Sequence, residues 1–265
     1  MRTSYLFFSI VIFSILYSCK KEAKTINEDP QNNDSVYLSK MVIDYYGDTI
    51  SYNYSYDNQK RLTKIDILEN GENESDNFHY NGSDTLPYKY FLTGNQPETI
   101  YYKYANGRLI YDSTINPANV SPYIVRMFTY SNDNIIVNSH GPNNSFPSSQ
   151  FFYRTVENGN TVFQTDTTDI SLSVHSFTIS YDNKPNPFHR MPRIYGPQIG
   201  QDEIWSVDLF EKNNATRIIE NASSTTGVTE SNYVYEYNSN GYPKSVVCFI
   251  DGVQFSKILF SYTSL

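Results

Sequence analysis

The chain has 265 residues, of which 39% are hydrophobic and 18% charged, and it carries a formal net charge of −8. Because nucleic-acid binders present basic patches, this acidic balance disfavours nucleic acid as a partner. Tyr and Phe number 25 and 16, which favours β-structure in a chain long enough to bury a sizeable core.

The start of the chain has the features of a secretory signal peptide. Arg2 precedes a mostly apolar run over residues 5–17, which is shorter than the ~20 residues that a helix needs to cross a bilayer. The run leads into Leu-Tyr-Ser-Cys, ending at Cys19, and this tetrapeptide resembles the lipobox of bacterial lipoproteins. The resemblance implies cleavage after residue 18, a lipid on Cys19, and attachment to a membrane through that lipid.

The segment after Cys19 is polar. Residues 20–34 consist mainly of Lys, Glu, Asn, Asp and Gln, and they hold too few apolar side chains to offset the entropy of ordering. We therefore expect a signal peptide over 1–18, a flexible lipidated tether over 19–35, and a single β-hairpin-repeat domain over 36–265.

Cysteine usage favours a structural role for the second cysteine. If Cys19 carries lipid, Cys248 has no partner for an intrachain disulfide. Its neighbours are Val-Val before it and Phe-Ile after it, which predicts a buried strand position where Cys acts as a small hydrophobe.

Period-two patterning predicts strands from the start of the domain. Residues 50–56 read Ile-Ser-Tyr-Asn-Tyr-Ser-Tyr, so large side chains lie on one face and small polar ones on the other. A turn at 57–60 and a return strand at 61–68 complete a β-hairpin.

The hairpin unit recurs along the chain. The segment Tyr54–Leu62 is echoed by Tyr102–Leu109 and by Tyr235–Pro243. Tyrosines at one position of the unit follow each other after 24, 24 and 26 residues: Tyr56, Tyr80, Tyr104 and Tyr130. A fixed period of this size indicates stacked supersecondary units. Asn-Gly pairs at 106–107 and 240–241 supply the positive φ that tight hairpin turns require.

The repeated motif, Tyr-x-Tyr-Asp-x-x-Gly-Arg-Leu, resembles the Tyr-Asp (Rhs-type) repeat, with Lys60 in place of Gly and Ala105 in place of Asp. Together with the lipobox at Cys19, the chain resembles repeat-bearing outer-membrane lipoproteins of Bacteroidota. The resemblance implies lipid anchoring at the outer membrane, on either its periplasmic or its surface-exposed side. It supplies no catalytic residues.

We therefore predict an all-β fold, an antiparallel meander of β-hairpin repeats that forms a curved or wrapped sheet, with a closed or half-open β-barrel as the alternative. Two proline-rich stretches, 141–149 and 183–200, predict loops or crossovers because proline cannot donate to a strand ladder. A short helical turn fits residues 186–191.

The second proline-rich stretch holds the most site-like group: His189, Arg190, Arg193 and Tyr195. Arginines beside aromatic rings could bind a carboxylate or a sugar acid, whereas a solvated crossover is the alternative interpretation. We predict no catalytic residues, no metal ligands and no cofactor, since no motif for them occurs.

These features favour a non-catalytic binding module of the cell envelope, with a glycan or an envelope protein as its ligand. An enzyme acting on envelope polysaccharide and a purely structural envelope component are the alternatives. The tyrosine stripes could stack on sugar rings, but a packed inner face of the sheet is the favoured interpretation.

Overall fold

The computed structural model describes residues 36–94, 97–115, 124–141, 147–168, 174–188, 191, 211–222 and 227–265. Cys19 and the expected tether lie outside these residues. No helix in the described part is long and apolar enough to cross a membrane.

The described residues form strands that follow one another along the chain. Their bounds are β1 Val36–Tyr45, β2 Asp48–Tyr56, β3 Leu62–Glu69, β4 Glu72–His79, β5 Lys89–Thr93, β6 Glu98–Ala105, β7 Arg108–Ile115, β8 Ile124–Ser131, β9 Asn134–His140, β10 Ser148–Glu157, β11 Asn160–Thr168, β12 Val174–Pro185, β13 Asn213–Ala222, β14 Val228–Tyr237, β15 Pro243–Ile250 and β16 Val253–Ser264.

The strands close into a barrel. Each strand pairs antiparallel with its neighbours in sequence, so the predicted meander is confirmed. The first and last strands also pair, with Met41 opposite Phe260 and Asp44 opposite Lys257. The sheet therefore closes fully, which corrects the predicted curved or wrapped sheet and the half-open alternative and agrees with the closed-barrel alternative. Closure pairs both edges that such a sheet would leave free.

The meander places alternate turns at opposite ends of the barrel. One end, which we call the near mouth, holds Val36 at the start of β1 and the turns over 57–61 and 238–242. The opposite end, which we call the far rim, holds the turns at 46–47 and 251–252.

The strands are apolar on the inside of the barrel. Along β2, Ile50, Tyr52 and Tyr54 are buried, while Asn53 and Ser55 between and beyond them are exposed. The favoured interpretation of the tyrosine stripe as a packed inner face is confirmed for this strand. The same alternation continues on other strands, as expected where one face of a sheet is enclosed.

The inward rows form one hydrophobic core. Its most deeply buried members, all 0–2% exposed, come from strands around the barrel: Leu38, Ile65, Ile100, Val137, Val246 and Ile258. A water-filled interior would leave these side chains accessible, so side chains fill the barrel.

The outer face carries polar and charged groups at mid-strand. Lys64 and Asp66 form an exposed ion pair on β3, with 2.6 Å between Nζ and Oδ1. Arg217 of β13 and Glu230 of β14 form another, at 2.8 Å. Lys257 is exposed near the middle of β16. The outer face is therefore mixed, because exposed apolar side chains such as Val234 and Leu259 lie among these charges, whereas the interior is mainly apolar.

Six tyrosine hydroxyls bind the backbone at β-bulges. Each donates a hydrogen bond of 2.7–2.9 Å to the carbonyl immediately before the extra residue of a bulge: Tyr56 to Leu38, Tyr80 to Leu62, Tyr130 to Leu109, Tyr181 to Thr161, Tyr235 to Ala215 and Tyr262 to Pro243. A bulge interrupts the ladder locally, and the hydroxyl satisfies a carbonyl at that point. We call these contacts bulge staples.

The bulge staples explain the Arg-Leu part of the repeated motif. Leu62 is buried and offers its carbonyl to Tyr80, while the guanidinium of Arg61 lies 4.5 Å from the centre of the same ring. Arg108 lies over Tyr130 in the same way, at 5.1 Å. Tyr80 and Tyr130 therefore each contact an Arg-Leu pair that precedes them in the chain.

The structure also corrects and confirms local predictions. β12 continues to Pro185, so residues 183–185 belong to a strand and not to the predicted loop; Pro185 is tolerated because it ends the strand, after a break in register. Residues 187–188 form a turn, and the short helical turn expected over 186–191 includes residues outside the described part. Cys248 is fully buried, as predicted, and burial raises the pKa of its thiol to about 11.

Candidate functional site

A shallow pocket opens at the near mouth of the barrel. Its cavity is about 10 Å³, room for about one water molecule. Aromatic and apolar side chains line it: Val36, Tyr37, Leu38, Tyr56, Pro187, Met191, Tyr242 and Tyr262. This is the point where the chain enters β1.

Bulge staples hold two of the pocket tyrosines in place. The hydroxyl of Tyr56 is bound to Leu38 and that of Tyr262 to Pro243, so both rings are fixed from their polar ends. Tyr37 meets Tyr56 edge to face, with 5.3 Å between ring centroids. The pocket is therefore lined by the faces and edges of fixed aromatic rings.

The segment that follows β12 is seated against this pocket. Phe188 is buried and meets Phe260 edge to face at 6.2 Å, and its amide donates to Oδ1 of Asn186. Met191 is buried too, and its amide donates to the carbonyl of Phe188 at 2.9 Å. These contacts dock the beginning of the proline-rich stretch onto the barrel.

The predicted ligand-binding residues His189, Arg190, Arg193 and Tyr195 lie outside the described residues. Their described neighbours are Phe188 and Met191, which are core residues of the near mouth. Their role in ligand binding stays a prediction.

Two polar clusters clamp the chain on both sides of that stretch. The carboxylate of Glu211 binds Arg154 and Thr161, each at 2.8 Å, and is almost completely buried. Asp182 accepts hydrogen bonds from Asn214 and from the hydroxyl of Tyr237. Because buried charges require such partners, these residues are fixed and play a structural role.

The barrel interior holds two further carboxyls on inward-facing rows. Asp76, 1% exposed, accepts a hydrogen bond from Tyr90, and its Oδ2 atom has no partner among the described residues. Burial raises the pKa of Asp76 to about 7, and the nearby Glu74 adds to the shift. Asp112, 0% exposed, pairs with Arg126 at 2.9 Å.

Burial dominates at Asp112 as well. It raises the pKa of this carboxyl, although the guanidinium of Arg126 acts in the opposite direction.

The sequence did not predict either buried aspartate, yet one signal was available. Asp76 lies two residues before the core residue Phe78, so period-two alternation places it on the inward face.

Neither interior carboxyl is open to a substrate. Both lie in a packed core, and their strongest contacts are with Tyr90 and Arg126. Across the described ranges, no group of three or more His, Cys, Asp and Glu side chains is placed to hold a metal ion.

The chain matches no protein-family model and no curated protein. Two solved structures share its fold. A porin-like protein from Bacteroides vulgatus ATCC 8482 is 13% identical with a TM-score of 0.60, and the match covers 87% of this chain and 100% of that one. A porin-like protein from Bacteroides uniformis ATCC 8492 is 14% identical with a TM-score of 0.52, over 86% of this chain and 96% of that one. At this identity the likeness shows the fold alone.

Proposed function

We propose that this chain is a cell-envelope lipoprotein whose barrel stands in water, conducts nothing and acts by binding a glycan or an envelope protein. The observation that carries the proposal is the interior of the barrel, which is packed mainly with apolar side chains such as Ile65, Ile100 and Ile258. A barrel that crosses a membrane as a channel needs a polar, water-filled lumen inside an apolar outer band.

Charges on the outer wall support this proposal. Lys64, Asp66 and Lys257 are exposed along the strands, where a lipid-facing surface would carry apolar residues. A Lys or Arg near the bilayer midplane costs about 2–4 kcal/mol on the lipid face of a barrel. The porin-like neighbours share the strand arrangement, and the proposal assigns this chain a different use of it.

The anchor in this proposal is the lipid on Cys19, at the outer membrane. The barrel begins at Val36, so residues 20–35 would separate it from the lipid. A chain with an accessible outer wall then has most of its surface available to a ligand. The enzyme alternative receives no support from Asp76 and Asp112, the most deeply buried carboxyls, because the core encloses both.

The absence of a channel is testable in planar bilayers. Full-length protein added to the bilayer should produce no conductance steps, because side chains fill the barrel interior. The porin-like protein from Bacteroides vulgatus is a useful comparison under the same conditions. Reproducible single-channel steps from this chain would overturn the proposal that its barrel stands in water.

The anchor is tested separately in cells. Cys19→Ala should leave the protein as an unprocessed precursor or release it from the outer-membrane fraction. Cys248→Ala is the matched control, since that thiol is buried in the barrel and should not affect fractionation. Outer-membrane fractionation of Cys19→Ala at the level of the unaltered protein would contradict lipid anchoring.

A further inference from the structure

One hairpin turn departs from the pattern that the other turns follow. In the described part, six two-residue turns begin with a non-glycine residue at a φ of 48–55°: Tyr46, Asn70, Asn106, Asn132, Asn158 and Asp251. Asn and Asp are favoured there because their short polar side chains tolerate the left-handed region. A tyrosine at this position is disfavoured, and Tyr46 has a φ of 50°.

The ring of Tyr46 belongs to an exposed aromatic cluster at the far rim. Its centroid lies 4.7 Å from that of Tyr45 and 5.5 Å from that of Phe255, and the latter two rings are also 4.7 Å apart. Phe255 packs against the core, whereas Tyr46 is 71% exposed. Burial therefore does not explain why a tyrosine occupies this unfavourable position.

Acidic residues flank the cluster. Asp44 and Asp48 are exposed on the two strands that the turn joins. Asp48 lies opposite Tyr45 in the ladder, whereas Asp44 lies opposite Lys257. The carboxylate of Asp48 can accept hydrogen bonds from hydroxyl groups and repels anionic ligands, so it favours a neutral ligand rich in hydroxyls.

The cluster lies at the end of the barrel opposite the chain's entry point. β1 runs ten residues from Val36 to Tyr45, a span of roughly 30 Å at the usual rise of an extended strand. If Val36 follows a membrane tether, the far rim is directed away from the membrane and toward soluble or cell-wall ligands.

We propose that Tyr45, Tyr46 and Phe255 form a binding platform for the sugar rings of a neutral glycan. The apolar C–H face of a pyranose stacks on the ring of Tyr46, and its hydroxyls donate to Asp48. The inference deepens the proposed function, on which it rests, by naming the binding site and its ligand class.

A printed array of neutral and uronic-acid glycans tests the platform with the full-length protein. We expect binding to neutral glycans and none to the acidic ones. Tyr46→Asn should weaken binding to the best-bound glycan roughly five- to tenfold, since one stacked ring is lost. The same variant should raise the melting temperature by about 2 °C, because Asn suits the turn better than Tyr.

Two further variants separate stacking from other effects. Tyr46→Phe keeps the ring and should bind nearly as well as the unaltered protein. Tyr153→Asn removes a tyrosine that is 51% exposed on β10, outside the cluster, and should leave glycan binding unchanged.

Three results would overturn the platform: no neutral glycan bound, equal binding by Tyr46→Asn, or Tyr46-dependent pelleting with phosphatidylcholine vesicles in place of glycan binding. The last would identify a membrane-contacting surface. The proposed function makes two separate predictions: no conductance in planar bilayers, and release of Cys19→Ala from the outer-membrane fraction. If both are observed together with one of the three results above, only the binding platform is contradicted.

Discussion

Asp76 is a carboxyl held inside an apolar barrel. Its pKa is raised to about 7, first by burial and then by Glu74, although the hydrogen bond from Tyr90 lowers it. Below about pH 4 the carboxyl of Asp76 is protonated in both the folded and the unfolded chain. Its burial then carries no cost of ionisation, so the free energy of unfolding has its highest value with respect to this group. Between about pH 4 and 7 only the folded chain keeps the proton, so stability falls as the pH rises. Above pH 7 both states are ionised and the loss is complete.

Asp76→Asn should remove this dependence on pH. The amide stays neutral and can still accept the hydrogen bond from Tyr90, so the variant should become increasingly more stable than the unaltered protein from pH 4 to 7. The difference in unfolding free energy should grow by about 1 kcal/mol per pH unit and level off above pH 7. Urea unfolding at several pH values measures it.

Asp44→Asn is the control for that experiment, because it removes an exposed carboxylate and changes the net charge equally. A difference between Asp76→Asn and the unaltered protein that stayed constant from pH 4 to 8 would show that Asp76 is not protonated in the folded barrel.

Lys60 occupies a backbone position that suits glycine. In the turn over 57–61, the amide of Lys60 donates to the carbonyl of Asp57 at 2.9 Å and φ is 64°. The turn over 238–242 has the equivalent backbone hydrogen bond, and its donor is Gly241, which has a φ of 86°. Lysine tolerates the left-handed region less well than glycine.

Lys60→Gly should raise the unfolding free energy by about 0.5–1 kcal/mol, because relief of the left-handed strain exceeds the entropy that glycine loses on folding. Lys60→Ala keeps the Cβ atom and should bring no such gain. The reverse change, Gly241→Ala, should lower the unfolding free energy by about 1 kcal/mol, because alanine is strained at this left-handed φ. A steric clash adds nothing, because the nearest atom to an added Cβ, Cδ of Pro185, is at an ordinary 3.8 Å. Thermal and urea unfolding measure all three, and equal stability of Lys60→Gly and Lys60→Ala would contradict the assignment.

At the scale of strands, the bulge staples couple each irregularity to a tyrosine. A bulge bends and twists its strand, and repeated bulges help a sheet to curve into a closed structure. The staple from Tyr56 fixes the bulge near Leu38 in β1, the strand that closes the barrel with β16. The repeated tyrosines thus stabilise the features that curve the sheet.

Tyr56→Phe should lower the unfolding free energy by about 1 kcal/mol, because it removes the hydrogen bond to Leu38 and keeps the ring. Tyr54→Phe, two residues away on the same strand, is the matched control. The buried hydroxyl of Tyr54 has no hydrogen-bond partner among the described residues, so its removal should be neutral or stabilising. Equal losses from both variants, measured by urea unfolding, would show that the staple contributes nothing.

Local patterns predicted most elements of the fold. The alternation over 50–56 predicted β2, and the near-constant spacing of tyrosines predicted successive antiparallel hairpins. Proline misled the prediction at 183–185, because Pro185 is accepted at a strand end where the register is already broken. Asp76 was missed because one polar residue in a polar segment gives little indication that it faces a core.

For the whole molecule, closure could not be predicted from local patterns. It depends on the pairing of β1 with β16, whose residues are separated by nearly the whole domain, and no motif marks them as partners. The candidate site was predictable only in part, since the proline-rich stretch was recognised but the pocket beside it depends on residues from both ends of the chain, such as Tyr37 and Tyr262.

The same strand arrangement can enclose either water or a packed core. In this chain sixteen antiparallel strands in sequential order form a closed barrel, and the porin-like structures share its fold. The residues that fill the enclosure, such as Ile100 and Val246, decide whether it holds water or a core.

The pairing of β1 with β16 also has a consequence for how the chain is made. β1 is synthesised first, but its ladder with β16 cannot form until β16 has been made. The contact that is longest in sequence therefore completes the structure. Until Val253 and the residues after it have emerged, β1 and β15 each present an open edge that another molecule could join. A nascent chain halted before that point would therefore be prone to pair with its neighbours, and closure protects the finished barrel from the same fate.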